Sequence, residues 1–180
     1  MPTSSAARIR KAATVYLLRH AHAGSQKRWP GPDQDRPLSL RGKEQADGLL
    51  VTLGDQPVTR VLSSPAVRCR HTVLPLSHQR GVPIELSSSL AVQAPLERLL
   101  ELMLDPAMRA AVLCGHGEQL RGLLRLLVGS VRLDGPLRLE KGSIWILDVS
   151  AGKVGAAHYV PPLRRQRLTG LPRLTSAEAG

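Results

Sequence analysis

Two arginines and two histidines follow short apolar runs of this sequence. Arg19 and His20 end the first run, Arg68 comes shortly after the second, and His116 directly follows a later one. A histidine near neutral pH can act as a nucleophile, a base or a hydrogen-bond donor, and an arginine is costly to bury without an anion. Two arginines beside two histidines therefore suit a phosphate group, provided that the fold brings them together.

The apolar runs have the length and composition of buried strands, and they alternate with segments of helical period. Strands are predicted at 14–18, 60–63, 83–86 and 111–114, and helices at 40–53, from 65 towards 75, at 95–104 and at about 118–128. Ser39 is predicted to cap the first helix, and Ser64 with Pro65 to open the second, which should weaken near Pro75. Two β-prone runs, 143–149 and 154–160, predict a hairpin.

This order predicts an α/β fold of three layers, with helices on both faces of a mostly parallel sheet that carries an antiparallel edge hairpin. In such sheets ligands sit beyond the carboxyl ends of the strands. The folded domain is predicted at 14–160, with a disordered basic leader at 1–13 and a basic, disordered tail at 161–180.

Composition limits the function classes further. The net charge is +11, about half of it in the two terminal segments, and only four residues are aromatic. Proteins that bind single-stranded nucleic acid usually stack its bases on aromatic rings, so this composition argues against that function. No apolar stretch is long enough to span a membrane or to form a secretion signal. The two cysteines show no metal-binding or disulfide spacing. Together these features predict a cytoplasmic protein.

Three motifs, taken in order, resemble the histidine phosphatase superfamily, and most closely its small SixA and MutT-associated branch. They are Leu17-Leu18-Arg19-His20-Ala21, Ser63-Ser64-Pro65-Ala66-Val67-Arg68 with Thr72, and Gly115-His116-Gly117-Glu118. The segments Arg36-Pro37-Leu38-Ser39 and Lys141-Gly142-Ser143 follow the same branch, and the likeness spans about 14–160.

The resemblance implies a phosphoglycerate mutase-like fold and a phosphatase that forms a phosphohistidine intermediate. His20 would be the nucleophile, Arg19 and Arg68 would hold the phosphoryl oxygens, and His116 would donate a further hydrogen bond to them. No metal and no cofactor are implied, because the arginines neutralise the phosphoryl charge. The alternatives for single residues are structural: an Arg19–Asp148 ion pair, a surface Arg68, and core histidines.

The loop 21–38 is a plausible rim for the substrate. Ser25, Lys27 and Arg28 on this loop, and Lys141 before the hairpin, are predicted to bind it. The substrate would be a phosphorylated small molecule or a phosphoprotein, either a phosphohistidine protein or a nucleotide-type phosphate. The sequence leaves the oligomeric state open.

The sequence departs from many members of the family in one respect. They place an acid after the third strand, where it protonates the leaving group, but Leu90-Ala91-Val92-Gln93-Ala94-Pro95 contains none. The possible substitutes are His22, Asp33, Asp35 and Glu118. The same absence favours a second hypothesis, a catalytically weak or inactive scaffold that binds phosphorylated ligands or, through its basic termini, RNA.

Overall fold

The computed structural model describes residues 13–163, so the predicted leader except Ala13, and all but the first residues of the predicted tail, lie outside the described residues. The strands are β1 (Ala13–Arg19), β2 (Arg60–Ser63), β3 (Ile84–Leu86), β4 (Ala111–Gly115), β5 (Arg132–Asp134), β6 (Ile144–Ser150) and β7 (Lys153–Val160). The helices are α1 (Leu40–Leu53), α2 (Val67–Arg80), α3 (Leu96–Leu104) and α4 (Gly117–Leu127), with short 3-10 turns between some elements.

The described strands form one mixed sheet in the order β3-β2-β4-β1-β6-β7-β5. The pairings of β1, β2, β3 and β4 with one another are parallel, whereas β6 runs antiparallel to both β1 and β7. The predicted hairpin is therefore present, and its turn is Ala151-Gly152, with both residues at positive φ. Because the carboxyl ends of β2, β4 and β1 lie side by side, the residues that follow these strands meet at one edge of the sheet.

Helices cover both faces of the sheet, as predicted. Val15 and Leu17 of β1 belong to the core that α3 and α4 close, whereas Tyr16 and Leu18 belong to the core that α1 and α2 close. This alternation follows from the pleat, which points successive side chains to opposite faces. A strand buried on both faces shows a continuous apolar run, which explains the composition of β1 and β4.

The beginning and the continuation of α2 differ from the prediction. Ala66, not Ser64, is the N-cap of this helix, and Pro65 lies before its first residue. The helix also runs through Pro75 to Arg80 without ending. Burial of Val73 and Leu76 on the two sides of the proline, worth about 1.5–3 kcal/mol each, offsets the roughly 3 kcal/mol that an internal proline costs.

One strand was not predicted from the sequence. The short strand β5 pairs in parallel with β7 and forms the outer edge of the sheet beyond the hairpin. Its pattern, Arg-Leu-Asp, is exposed at both ends and too short to show a period.

Candidate active site

The four predicted catalytic side chains line one cavity at the carboxyl ends of β1, β2 and β4. This central cavity has a volume of about 300 Å³, and its lining includes Arg19, His20, Arg68, His116 and Lys141. Gly24, Gln26, Asp33, Arg36, Val92, Gly117 and Glu118 complete it. The structure therefore brings together residues from three strand ends that are far apart in the sequence.

His20 is held in one orientation and one tautomer. Its backbone N–H donates to the carbonyl of Gly115 at 3.0 Å, and its ring Nδ1 lies 2.8 Å from the carbonyl oxygen of Ala21. Since a carbonyl only accepts, Nδ1 carries the proton and Nε2 keeps its lone pair. Burial lowers the pKa of His20 to about 3, and the nearby charges of Arg68 and Arg19 act in the same direction. The ring is therefore neutral at physiological pH.

His116 packs against His20, with the ring centroids 5.3 Å apart and the rings in an edge-to-face arrangement. Its Nδ1 lies 3.3 Å from Nη2 of Arg68, and its Nε2 lies 2.8 Å from the hydroxyl of Ser64. A guanidinium can only donate, so Nδ1 accepts and the proton of this neutral ring is on Nε2. This contact explains why Ser64 does not cap α2.

The two cysteines of the chain lie beneath the same histidine. Cys69 and Cys114 are buried and free, and the sulfur of Cys69 is 3.6 Å from Nε2 of His116. Burial alone would raise the pKa of Cys69, but hydrogen bonds from Cys114 and His116 outweigh it and lower this pKa to about 6.

Arg68 is buried and is held by a loop residue. Its Nη1 donates to the backbone carbonyl of Asp33 at 2.6 Å, and its Nη2 lies 3.0 Å from the Asp33 carboxylate. The remaining donor, Nε, is buried and has no hydrogen-bond partner among the described residues. Arg68 is thus a fixed part of the cavity and not a residue of the helix surface.

Arg19 is anchored on the other side of the cavity. Its Nη1 donates to the carbonyl of Leu139 at 2.5 Å, and its Nε is also buried without a partner among residues 13–163. The alternative ion pair with Asp148 is wrong, because Asp148 pairs with Thr14 at the opposite end of β1. The missing side chain of Gly117 leaves space for the guanidinium, because a Cβ at this position would lie 2.6 Å from Nε of Arg19.

From the sequence, Asp33 is only a possible proton donor and Arg36 has no predicted role, but the two residues form an ion pair at the central cavity. Nε of Arg36 donates to the Asp33 carboxylate at 2.8 Å, and its Nη1 donates to the carbonyl of Ala23 at 2.7 Å. Burial alone would raise the pKa of Asp33, but hydrogen bonds and charges of Arg36 and Arg68 lower it. The available signal was Arg36 itself, in the segment Arg36-Pro37-Leu38-Ser39 that precedes α1.

The four predicted substrate-binding residues divide into three groups. Lys141 lines the central cavity. Ser25 and Arg28 line a second, open cavity of about 430 Å³ together with His22 and Gly24, which we call the flanking cavity. Lys27 is exposed and lines neither of these two cavities.

The possible proton donors are also separated by the structure. Asp33 and Glu118 line the central cavity, His22 lines the flanking cavity, and Asp35 lies in an exposed position. Because two arginines hold Asp33 as a carboxylate, it is a poor proton donor. Val92 lines the central cavity in the segment that lacks an acid.

Residues 13–163 contain no group of three or more His, Cys, Asp and Glu side chains placed to hold a metal ion. None of the helices in this range has the length and hydropathy needed to cross a membrane.

Comparison with known proteins identifies the family. The model of the histidine phosphatase superfamily (branch 1) matches residues 15–92. The 8-oxo-(d)GTP phosphatase of Mycolicibacterium smegmatis is 31% identical over 157 residues, which are 83% of this chain and 48% of that protein. The chain thus spans about half the length of this curated relative.

Solved structures of histidine phosphatases share the fold. The structure described as phosphohistidine phosphatase SixA from Agrobacterium tumefaciens is 26% identical, with a TM-score of 0.62, and the match covers 76% of this chain and 91% of that one. A protein histidine phosphatase SixA complexed with tungstate is 19% identical, also with a TM-score of 0.62, over 82% of this chain and 94% of that one.

The chain belongs to the histidine phosphatase superfamily. Within the superfamily it is SixA-like. The predicted family and fold are confirmed.

Proposed function

We propose that this protein is a metal-independent phosphatase that transfers a phosphoryl group first to His20 and then to water. The observation that carries the proposal is the state of the central cavity. A neutral histidine with a free lone pair on Nε2 lies in the same cavity as two guanidiniums whose buried Nε donors have no partner among the described residues. Such donors are costly to leave unsatisfied, and phosphoryl oxygens are the acceptors that suit them.

In the first step, Nε2 of His20 attacks phosphorus, the N–P bond forms, and the bond to the leaving group breaks with its electron pair. Arg19 and Arg68 hold the phosphoryl oxygens and offset their charge. In the second step, water attacks the phosphohistidine, the N–P bond breaks, and orthophosphate and neutral His20 are released. Because the Nδ1 proton is held by the Ala21 carbonyl, the lone pair that attacks phosphorus is the one on Nε2.

His116 has a more complex role than the resemblance implied. Its Nδ1 accepts a hydrogen bond from Arg68 and therefore does not donate to a phosphoryl oxygen in this arrangement. Donation from Nδ1 requires a proton on this nitrogen and a break of the contact with Arg68, while the hydrogen bond with Ser64 keeps the ring in place.

The substrate is either a phosphohistidine protein or a nucleotide-type phosphate. An imidazole, or the phosphate that leaves from a nucleotide with more than one phosphate, needs less help from a proton donor than an alkoxide does, which fits the pairing of Asp33 with two arginines. The names of two similar proteins, a phosphohistidine phosphatase and an 8-oxo-(d)GTP phosphatase, support these two classes. The free Cys69 and Cys114 support a reducing, cytoplasmic location.

The test is turnover of p-nitrophenyl phosphate in the presence of EDTA by the wild type, His20→Ala and His78→Ala. His78 is an exposed histidine of α2 and serves as the matched control. We expect metal-independent activity that His20→Ala abolishes and His78→Ala retains, with an acid-labile phosphoprotein trapped only where His20 is present. Equal trace activity in all three proteins would support the inactive scaffold instead. A panel of a phosphohistidine protein, nucleoside phosphates and sugar phosphates then separates the substrate classes.

A further inference from the structure

The flanking cavity opens next to the site of phosphoryl transfer. Gly24 lines both cavities, in the left-handed backbone conformation (φ 68°) that favours glycine. Across this shared residue, the flanking cavity is lined by the side chains of His22, Ser25 and Arg28. A molecule bound with its phosphoryl group at His20 can therefore extend into this second space.

The border between the two cavities is built around one buried glutamine. Oε1 of Gln45 accepts from the backbone N–H of His22 at 2.9 Å, and its Nε2 donates to the backbone carbonyl of Lys141 at 2.8 Å. Gln45 is 6% exposed, so it holds the backbone at His22 and at Lys141 from the interior of the protein. The lysine that lines the central cavity and the histidine that lines the flanking one are thereby held as neighbours.

The imidazole of His22 has a defined donor. The backbone N–H of Gly24 donates to its Nδ1 at 3.3 Å, and the hydroxyl of Ser39 lies 2.7 Å from the same nitrogen. Because Nδ1 accepts, the proton of the neutral ring is on Nε2 and can be donated to an acceptor.

The charges that shift the pKa of Lys141 are those of arginines. Burial lowers the pKa of Lys141, and the nearby Arg19, Arg36, Arg41 and Arg68 lower it further. An ammonium held among guanidiniums is stabilised by an anion placed between them. The one carboxylate of the adjoining loop that faces the central cavity, Asp33, is already shared by Arg36 and Arg68.

We propose that Lys141, His22, Ser25 and Arg28 form a second anion subsite, which binds a second phosphate group on the leaving-group side of the substrate. The inference rests on the proposed function, because it places the first phosphoryl group at His20. It narrows the substrate to small molecules that carry two phosphates, and the low pKa of a phosphate leaving group favours a diphosphate over two phosphates on a short carbon chain. Ammonium, guanidinium and imidazole N–H groups together are the donors that such a group requires.

The first experiment measures binding without turnover. Orthophosphate, inorganic pyrophosphate and propane-1,3-diol bisphosphate are titrated calorimetrically into the His20→Ala protein with EDTA present. We expect at least one of the two-phosphate ligands to bind about tenfold more tightly than orthophosphate, the worth of one charge-assisted hydrogen bond. Preference for pyrophosphate identifies a diphosphate, and preference for the bisphosphate identifies two spaced phosphates.

The second experiment locates the advantage. Lys141→Met and Arg28→Met, each added to His20→Ala, should reduce the ratio of the two affinities towards one. Lys153→Met removes the same charge on the hairpin and should leave the ratio unchanged, because Lys153 lies beside the turn at residues 151–152. An unchanged ratio in the Lys141 and Arg28 variants, or no advantage of either two-phosphate ligand over orthophosphate, overturns the second subsite. Failure to bind orthophosphate at all would instead overturn the proposed function.

Discussion

Gly117→Ala separates the position of Arg19 from the stability of the fold. A Cβ at residue 117 would lie 2.6 Å from Nε, 2.7 Å from Cζ and 2.8 Å from Nη2 of Arg19. Since non-bonded carbon contacts begin near 3.5 Å, the guanidinium has to retreat by about 1 Å. The hydrogen bond from Nη1 to the Leu139 carbonyl limits the directions in which it can move.

The same displacement has very different consequences for folding and for catalysis. The atoms that must move are the end of a flexible side chain, and alanine is favoured over glycine in a helix by up to about 1 kcal/mol. We therefore expect the free energy of unfolding of Gly117→Ala to stay within about 1 kcal/mol of the wild type. A 1 Å misplacement of a group that holds the substrate can cost about 100-fold in rate, so we expect kcat/KM to fall by about that factor.

The assay is kcat/KM for p-nitrophenyl phosphate, with urea unfolding measured on the same preparations. Gly122→Ala is the matched control, because it makes the same substitution on the same helix, and the atoms nearest to its Cβ would belong to the flexible side chain of Leu96, the first at 2.9 Å. We expect Gly122→Ala to keep its activity. If Gly117→Ala retained kcat/KM within about threefold of the wild type, Arg19 would not hold the phosphoryl group from its observed position.

Three further variants test other parts of the site. Folded protein keeps His20 neutral down to about pH 3, whereas the unfolded chain protonates it near pH 6.5, so stability is lost as the pH falls through this window. Lowering the pH from 7 to 5 should cost the wild type about 2 kcal/mol more than His20→Gln in urea unfolding; equal losses would contradict the burial of a neutral ring. Asp33→Asn removes the charge that holds Arg68 and should lower kcat/KM about tenfold, mainly through KM; an unchanged KM would show that Asp33 does not position Arg68. Gly42→Ala would place a Cβ 1.9 Å from the backbone oxygen of His22, and thermal unfolding should show a loss of about 3 kcal/mol, since neither backbone can move freely.

The sequence contains enough information for most of the fold because local signals agree with the final packing. The serine cap of α1 illustrates this: the Ser39 hydroxyl accepts from the N–H of Gly42, as its position before the helix predicts. Ser64 illustrates the limit. Its hydroxyl has the same local preference, but it bonds to His116, 52 residues away, and no local pattern announces that contact.

The candidate site could be predicted in its residue types but not in its connections. The types at the strand ends indicate Arg19, His20 and His116, because parallel strands bring their carboxyl ends together. The pairing of Arg68 with Asp33 depends on the path of a loop whose prolines and glycines are compatible with many conformations. Long-range contacts of this kind need the three-dimensional course of the chain.

The pleat of β1 sets the sides from which Arg19 and His20 approach the central cavity. Arg19 continues the odd-numbered positions that face α4, and His20 continues the even-numbered positions that face α2. In the proposed mechanism, these two consecutive residues thus reach the phosphoryl group from opposite layers of the domain. Arg19 holds its oxygens, and His20 attacks its phosphorus. Insertion of a single residue into β1 would exchange these sides, so the register of the strand determines from which face of the sheet each of the two residues approaches the phosphoryl group.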